Sequence, residues 1–269
     1  MEVVVVAAAA VVAGAGAADL WLLAHALLGT FLVAAGASTW NQWIEPSTDC
    51  LMNRTAGRPL AAGRMSRWEA AAFGAAVTLG GLAYLHLWVN PSTAVVGGLT
   101  WLTYVVLYTP LKSRSSANTA VGAVSGALPV LMGWTAVGRP LDLGAAVLFT
   151  ILFLWQFPHV MAVAWTYRRQ YEAAGLKMMP DVGSTGRLAG AQAAAAALLL
   201  VPISLSPVLI GLARPSFLIG AIILGMGQLY FALAFLSHRN DRSARALFRA
   251  TLVYLPTLLS WLAATLIRN

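Results

Sequence analysis

Nine apolar runs follow one another along this chain, at about 2–18, 20–42, 68–89, 92–111, 118–138, 141–165, 188–212, 215–236 and 247–267. A helix rises about 1.5 Å per residue, so roughly 20 apolar residues cross a hydrocarbon core of roughly 30 Å. Lipid offers no hydrogen-bond partners, and consecutive runs of this length can satisfy their backbone there only as helices. The pattern therefore predicts an all-α, polytopic membrane protein of about nine transmembrane helices, forming a single domain over residues 1–269. Composition agrees: 59% of residues are hydrophobic and 10% charged, where a soluble domain carries about a quarter charged residues. Breaks such as Asn90-Pro91 and Arg139-Pro140 carry turn chemistry suited to tight hairpins. The first run ends in small residues, like a secretory signal, but it carries Glu2 and neither Lys nor Arg, so it reads as a short first helix.

The charges test this count. Basic residues fall after the second run (Arg54, Arg58, Arg64, Arg67), the fourth (Lys112, Arg114), the sixth (Arg168, Arg169, Lys177, Arg187) and the eighth (Arg239, Arg242, Arg245, Arg249). Of the 17 Lys and Arg, only Arg139, Arg214 and Arg268 lie on the other side. By the positive-inside rule the N-terminus and the even-numbered loops are cytoplasmic and the C-terminus lies outside a cell (inner) membrane. The net charge of +8 is thereby explained by topology, and nucleic acid is not an expected partner. A lone cysteine, Cys50, excludes an intrachain disulfide framework and a thiolate metal cluster. Two cytoplasmic loops, about 43–67 and 166–187, are longer than hairpins need, which marks them as functional caps.

Chemistry concentrates at those loops. Asn41, Glu45 and Asp49 are spaced i, i+4, i+8, so a continuous helix would align them as one oxygen-bearing stripe at the membrane surface. Hard oxygen donors of this kind suit Mg²⁺, which completes its shell with waters and substrate phosphates, and Arg54 and Arg58 just beyond would clamp those phosphates. A plain solvated loop, with the acids paired to the arginines, is the competing reading. In the next cytoplasmic loop Lys112 and Arg114 are placed to reach a diphosphate, with Asn118 adding hydrogen bonds, although membrane anchoring alone also accounts for both cations. His159, within Trp155-Gln156-Phe157-Pro158-His159, lies about two turns below the cytoplasmic end of the sixth run, where ionisable groups face a cavity or a partner.

Taken in order, these residues resemble the UbiA superfamily of intramembrane prenyltransferases. The resemblance rests on Asn41, Glu45 and Asp49 with Arg54-Thr55 and Arg58-Pro59-Leu60, on Tyr108-Thr109 with Lys112 and Asn118, on Gly126, Pro129 and Gly133-Trp134, and on Trp155, Pro158-His159, Tyr171, Ala174-Gly175 and Met178-Met179-Pro180. Within the superfamily it is similar to the branch that farnesylates haem. That implies a nine-helix bundle around a central cavity and transfer of farnesyl from farnesyl diphosphate to the vinyl group of haem b, giving haem O. Catalysis would fall to Asn41, Glu45, Asp49 and His159, with Mg²⁺ on the first three, and the diphosphate to Arg54, Arg58, Lys112, Arg114 and Asn118. Trp43, Tyr108, Trp155 and Tyr171 would line the prenyl or haem pocket, their faces stabilising an allylic cation. Haem A synthase or terminal oxidase assembly would then be the downstream partner. An aromatic acceptor, a quinone precursor or a chlorophyllide, would use the same diphosphate chemistry, whereas a transporter would not need arginines beside an acid stripe. The chain departs from the superfamily in carrying Arg169 and Gln170 where a second acid-rich motif is usual, which puts a second Mg²⁺ in doubt, and in placing Pro46 inside the first motif, where it can start a new turn.

Overall fold

The computed structural model describes residues 2–14, 19–178 and 185–267. Met179, Pro180 and Arg268, named above, lie outside the described residues. The described chain is nearly all helical: α1 (Glu2–Ala13), α2 (Leu20–Ile44), α3 (Pro46–Asp49), α4 (Arg67–Trp88), α5 (Pro91–Leu102) continued through a π-helical stretch (Thr103–Tyr108) into α6 (Thr109–Leu111), α7 (Asn118–Ala136), α8 (Leu143–Thr166), α9 (Arg168–Ala173), α10 (Arg187–Leu209), α11 (Phe217–His238) and α12 (Asp241–Ala264). Eight of these segments are long and apolar enough to cross a membrane, among them the joined Pro91–Leu111. The ninth apolar element, α1, has 12 residues, or about 18 Å of helix, short of a roughly 30 Å core.

Helix ends follow local chemistry. Asp19 caps α2 by accepting from the Trp21 N–H, Ser66 and Glu69 form a reciprocal capping box on α4, Asn90 caps α5 ahead of Pro91, and Asp142 caps α8. These side chains satisfy amide donors that a helix start leaves unpaired.

Neighbours pair in a ring: α2 with α4, α4 with α5, α5 with α7, α7 with α8, α8 with α10 and α12, α10 with α11, and α11 with α12. Helix α1 closes it, packing on α7 and touching both α2 and α12. Two close approaches explain the tight joints. A Cβ on Gly36 of α2 would collide with Thr78 Oγ1 of α4, and one on Gly133 of α7 with the Val6 carbonyl of α1. Small residues at such crossings let backbones meet where no hydrophobic effect drives association. One buried apolar cluster gathers around Trp134, Trp155, Phe217 and Tyr254, and a second around Met161, Trp165, Phe235 and Leu247. Large apolar side chains such as Leu79, Ile219, Ile223 and Tyr230 point outward, a belt that suits lipid and would aggregate in water.

Candidate active site

Helix α2 ends at Ile44 because Glu45 leaves helical geometry (φ −112°, ψ 28°) and Pro46, which lacks an N–H, opens α3. The continuous helix expected from spacing is therefore two helices meeting at Glu45. The four-residue rhythm survives the break, since the Glu45 N–H donates to the Asn41 carbonyl at 3.1 Å and the Asp49 N–H to the Glu45 carbonyl at 2.9 Å. Asn41, Glu45 and Asp49 still converge.

Their partners come from the two neighbouring loops. Asn41 Nδ2 donates to Glu45 Oε2 at 2.8 Å and to Thr109 Oγ1 at 3.2 Å, while Asn41 Oδ1 accepts from Arg58 Nη1 at 3.3 Å. Arg58 Nη1 also donates to both Asp49 carboxylate oxygens, at 3.0 and 2.9 Å. Lys112 Nζ donates to Glu45 Oε2 at 2.8 Å and sits 4.9 Å from the centre of the Tyr108 ring. Asn41 and Asp49 are 3% and 4% exposed. Burial pulls the Lys112 pKa below the usual lysine range, and the adjacent Glu45 carboxylate opposes that drift. Two acids and two cations thus form a closed, electrically balanced cluster. Thr55, buried beneath it, donates to the Asp49 carbonyl at 3.0 Å and fixes the turn after α3.

The π-helical stretch aims the next shell. One wide turn sets Tyr104 and Tyr108 with ring centres 5.5 Å apart and lets Thr109 donate its hydroxyl to the Tyr104 carbonyl at 2.8 Å while accepting from Asn41. Such turns recur at functional sites because they shift side-chain direction inside an otherwise regular helix. Tyr104, Tyr108, Asn118, Gln156 and Val160 line a chamber of about 190 Å³ in the bundle.

The two long loops are stitched into a cap. The Lys177 N–H donates to the Lys112 carbonyl at 2.7 Å, and Asn118 Nδ2 donates to the Ser115 and Lys177 carbonyls, each at 2.7 Å. Asn118 Oδ1 is buried without a hydrogen-bond partner among the described residues. Gln170 Oε1 accepts from the Asn53 N–H at 3.2 Å, and the Arg54 guanidinium lies 5.8 Å from the Tyr167 ring centre. Tyr171 is buried in α9, and desolvation raises its phenol pKa. Arg114 is exposed, its carbonyl accepting from Lys177 Nζ at 3.2 Å.

Other candidates sit elsewhere. Trp43 stacks under the Arg67 guanidinium, 4.5 Å away, and meets Trp40 edge-on. His159 and Trp155 turn toward α12: His159 Nδ1 is 2.9 Å from Thr251 Oγ1, and Trp155 Nε1 donates to the Thr251 carbonyl at 2.9 Å. Spacing alone assigned no role to Thr55, Tyr104, Gln156 or Thr251, and the polar tint of the apolar runs at Tyr104 and Gln156 was the available signal.

Among the described residues no three His, Cys, Asp or Glu side chains cluster as a metal site. A cation would rest on two carboxylates, the Asn41 carboxamide oxygen and the ligand's own oxygens. That all-oxygen donor set fits Mg²⁺ and does not suit softer metals. With Arg58 and Lys112 alongside, the arrangement can grip a polyanion at the membrane surface.

A protoheme IX farnesyltransferase of Solibacter usitatus is 41% identical over 238 residues, covering 88% of this chain and 82% of that protein. Among solved structures, a digeranylgeranylglyceryl phosphate synthase shares the fold with a TM-score of 0.83 at 16% identity, covering 98% of this chain and 92% of its own. A UbiA homologue from Archaeoglobus fulgidus, bound to GPP and Mg²⁺, does so with a TM-score of 0.66 at 15% identity, over 97% of this chain and 95% of its own. The UbiA prenyltransferase family matches residues 3–261, and the chain belongs to that family.

Proposed function

We propose that this chain transfers farnesyl from farnesyl diphosphate to the vinyl group of haem b, giving haem O. The observation that carries the reading is the closed cluster of Asn41, Glu45, Asp49, Arg58 and Lys112 at one end of the bundle, joined to 41% identity with a protoheme IX farnesyltransferase. Diphosphate arriving there exchanges one set of ion pairs for another. Arg58 and Lys112 turn from their carboxylates to phosphate oxygens, which frees Asn41, Glu45 and Asp49 as the side chains that would hold Mg²⁺. Bound Mg²⁺ supplies positive charge against the departing diphosphate. Arg54 and Arg114 on the cap add further donors, and Asn118 holds the cap strand in place.

The farnesyl C1–O bond breaks as diphosphate leaves with its electron pair. Facing aromatic rings, Tyr104 and Tyr108, stabilise the allylic cation, and the surrounding bundle keeps early water away. The terminal vinyl carbon of haem b bonds to farnesyl C1; the cation this leaves on the vinyl's inner carbon takes hydroxide from water, and the released proton goes to solvent. We place the cap and N-terminus on the cytoplasmic side of the cell membrane and the C-terminus outside, with haem A synthase or terminal oxidase assembly consuming the product.

Membranes containing the chain, supplied with haem b, farnesyl diphosphate and Mg²⁺, should yield haem O by mass spectrometry. Asp49→Asn, still inserted, should lower turnover by roughly 100-fold or more, the scale of losing one preorganised charge-stabilising group. Undiminished turnover in that variant would remove the metal assignment.

A further inference from the structure

Thr251 decides which nitrogen of His159 carries the proton. A threonine hydroxyl has one hydrogen to give, and Thr251 donates it to the Phe248 carbonyl at 2.6 Å. At 2.9 Å from His159 Nδ1 the same oxygen is left to accept, so Nδ1 bears the hydrogen and Nε2 carries a lone pair. Nε2 has no hydrogen-bond partner among the described residues, and the side chain is only half-buried.

The ring is also held in orientation. It stacks on Trp155 with centres 4.8 Å apart and planes 23° apart, and lies 5.2 Å from the Phe248 ring. Trp155 is itself pinned, through Nε1, to the Thr251 carbonyl at 2.9 Å. A neutral imidazole, fixed through a hydrogen bond at one nitrogen and open at the other, is how proteins present histidine to iron. Ionisable side chains within a span rarely stand there without a partner. One turn along α8, Trp155 opens onto an apolar groove of about 380 Å³ between α1 and α12, with Val4, Val5, Leu252 and Leu255 on its walls. Its apolar lining suits the edge of an apolar ring.

We infer that His159 Nε2 is an axial ligand to the iron of the haem acceptor, that Thr251 is its positioning residue, and that the groove beside Trp155 takes the porphyrin's apolar edge. The inference deepens the haem-acceptor reading and rests on it. Iron ligation would hold the macrocycle at a fixed height against α8, so that a vinyl edge can be presented to the farnesyl cation.

The full chain in lipid nanodiscs is titrated with haem b, and resonance Raman of the ferrous complex reads the iron–histidine stretching band. The wild type should show the band. His159→Gln should lose it, with haem affinity down about tenfold or more and affinity for magnesium farnesyl diphosphate unchanged; added imidazole should restore it in His159→Gly. Thr251→Val should shift the band and weaken haem binding about tenfold, the scale of losing a partner that orients a ligand. Iron-free protoporphyrin IX should bind the wild type about as weakly as haem binds His159→Gln. A band retained in His159→Gln, or equal affinity for haem and the iron-free ring, overturns the ligand assignment and leaves the acceptor reading standing. An unshifted band with unchanged affinity in Thr251→Val overturns the positioning role. A wild type that binds no haem overturns both readings at once.

Discussion

Lys112 and Glu45 leave only 11% and 12% of their side chains exposed, so neither charge is well solvated once its partner is gone. Breaking a buried pair strands an uncompensated charge and costs about 3–5 kcal/mol, whereas removing both members can be nearly neutral. Glu45→Gln and Lys112→Met should each lower stability on that scale in denaturing-detergent titrations, and the double variant should lose clearly less than their sum. Additive losses would mean that the two side chains do not depend on each other. At this scale the sequence was legible where chemistry is local. Asn41, Glu45 and Asp49 announce themselves by spacing, and the rhythm outlasts the break at Pro46 because the backbone hydrogen bonds bridge it. Partner choice was not legible. Which of several arginines meets Asp49, or that Thr251 on the last helix meets His159, depends on how distant helices close, and no spacing encodes that.

Helix existence followed from run length, and the charged breaks located most ends. Two features escaped for physical reasons. The extent of the short first helix is one: among the described residues it has 12, because hydropathy measures affinity for lipid and not helical extent. The π-helical stretch from Thr103 to Tyr108 has no compositional mark, since its extra residue per turn is stabilised by Thr109 and by neighbouring helices, not by intrinsic propensity. Helix α1 depends heavily on its contact with α7, where the Gly133 Cα approaches the Val6 carbonyl and Ala9. Gly133→Ala should force these helices apart and destabilise the fold by about 1–3 kcal/mol, the usual range for overpacking. Thermal unfolding in detergent reads this, and an unchanged midpoint would show that the joint is slack.

Across the whole molecule the charge map and the folded site agree: the acid–cation cluster and the stitched cap occupy the end of the bundle that holds nearly all the arginines. Cys50, the sole cysteine, is exposed at that end. A membrane-impermeant maleimide should therefore label it in inverted vesicles and spare it in intact cells, and the reverse pattern would invert the topology. The outward apolar belt of Leu79, Ile219, Ile223 and Tyr230 carries a last consequence. Drawing a farnesyl chain out into water costs about 0.8 kcal/mol per methylene, on the order of 10 kcal/mol in all. A catalyst whose apolar flank opens among acyl tails lets the isoprenoid stay dissolved throughout. Its throughput should then track how freely lipids diffuse, dropping when the bilayer gels and holding steady when glycerol thickens the surrounding buffer.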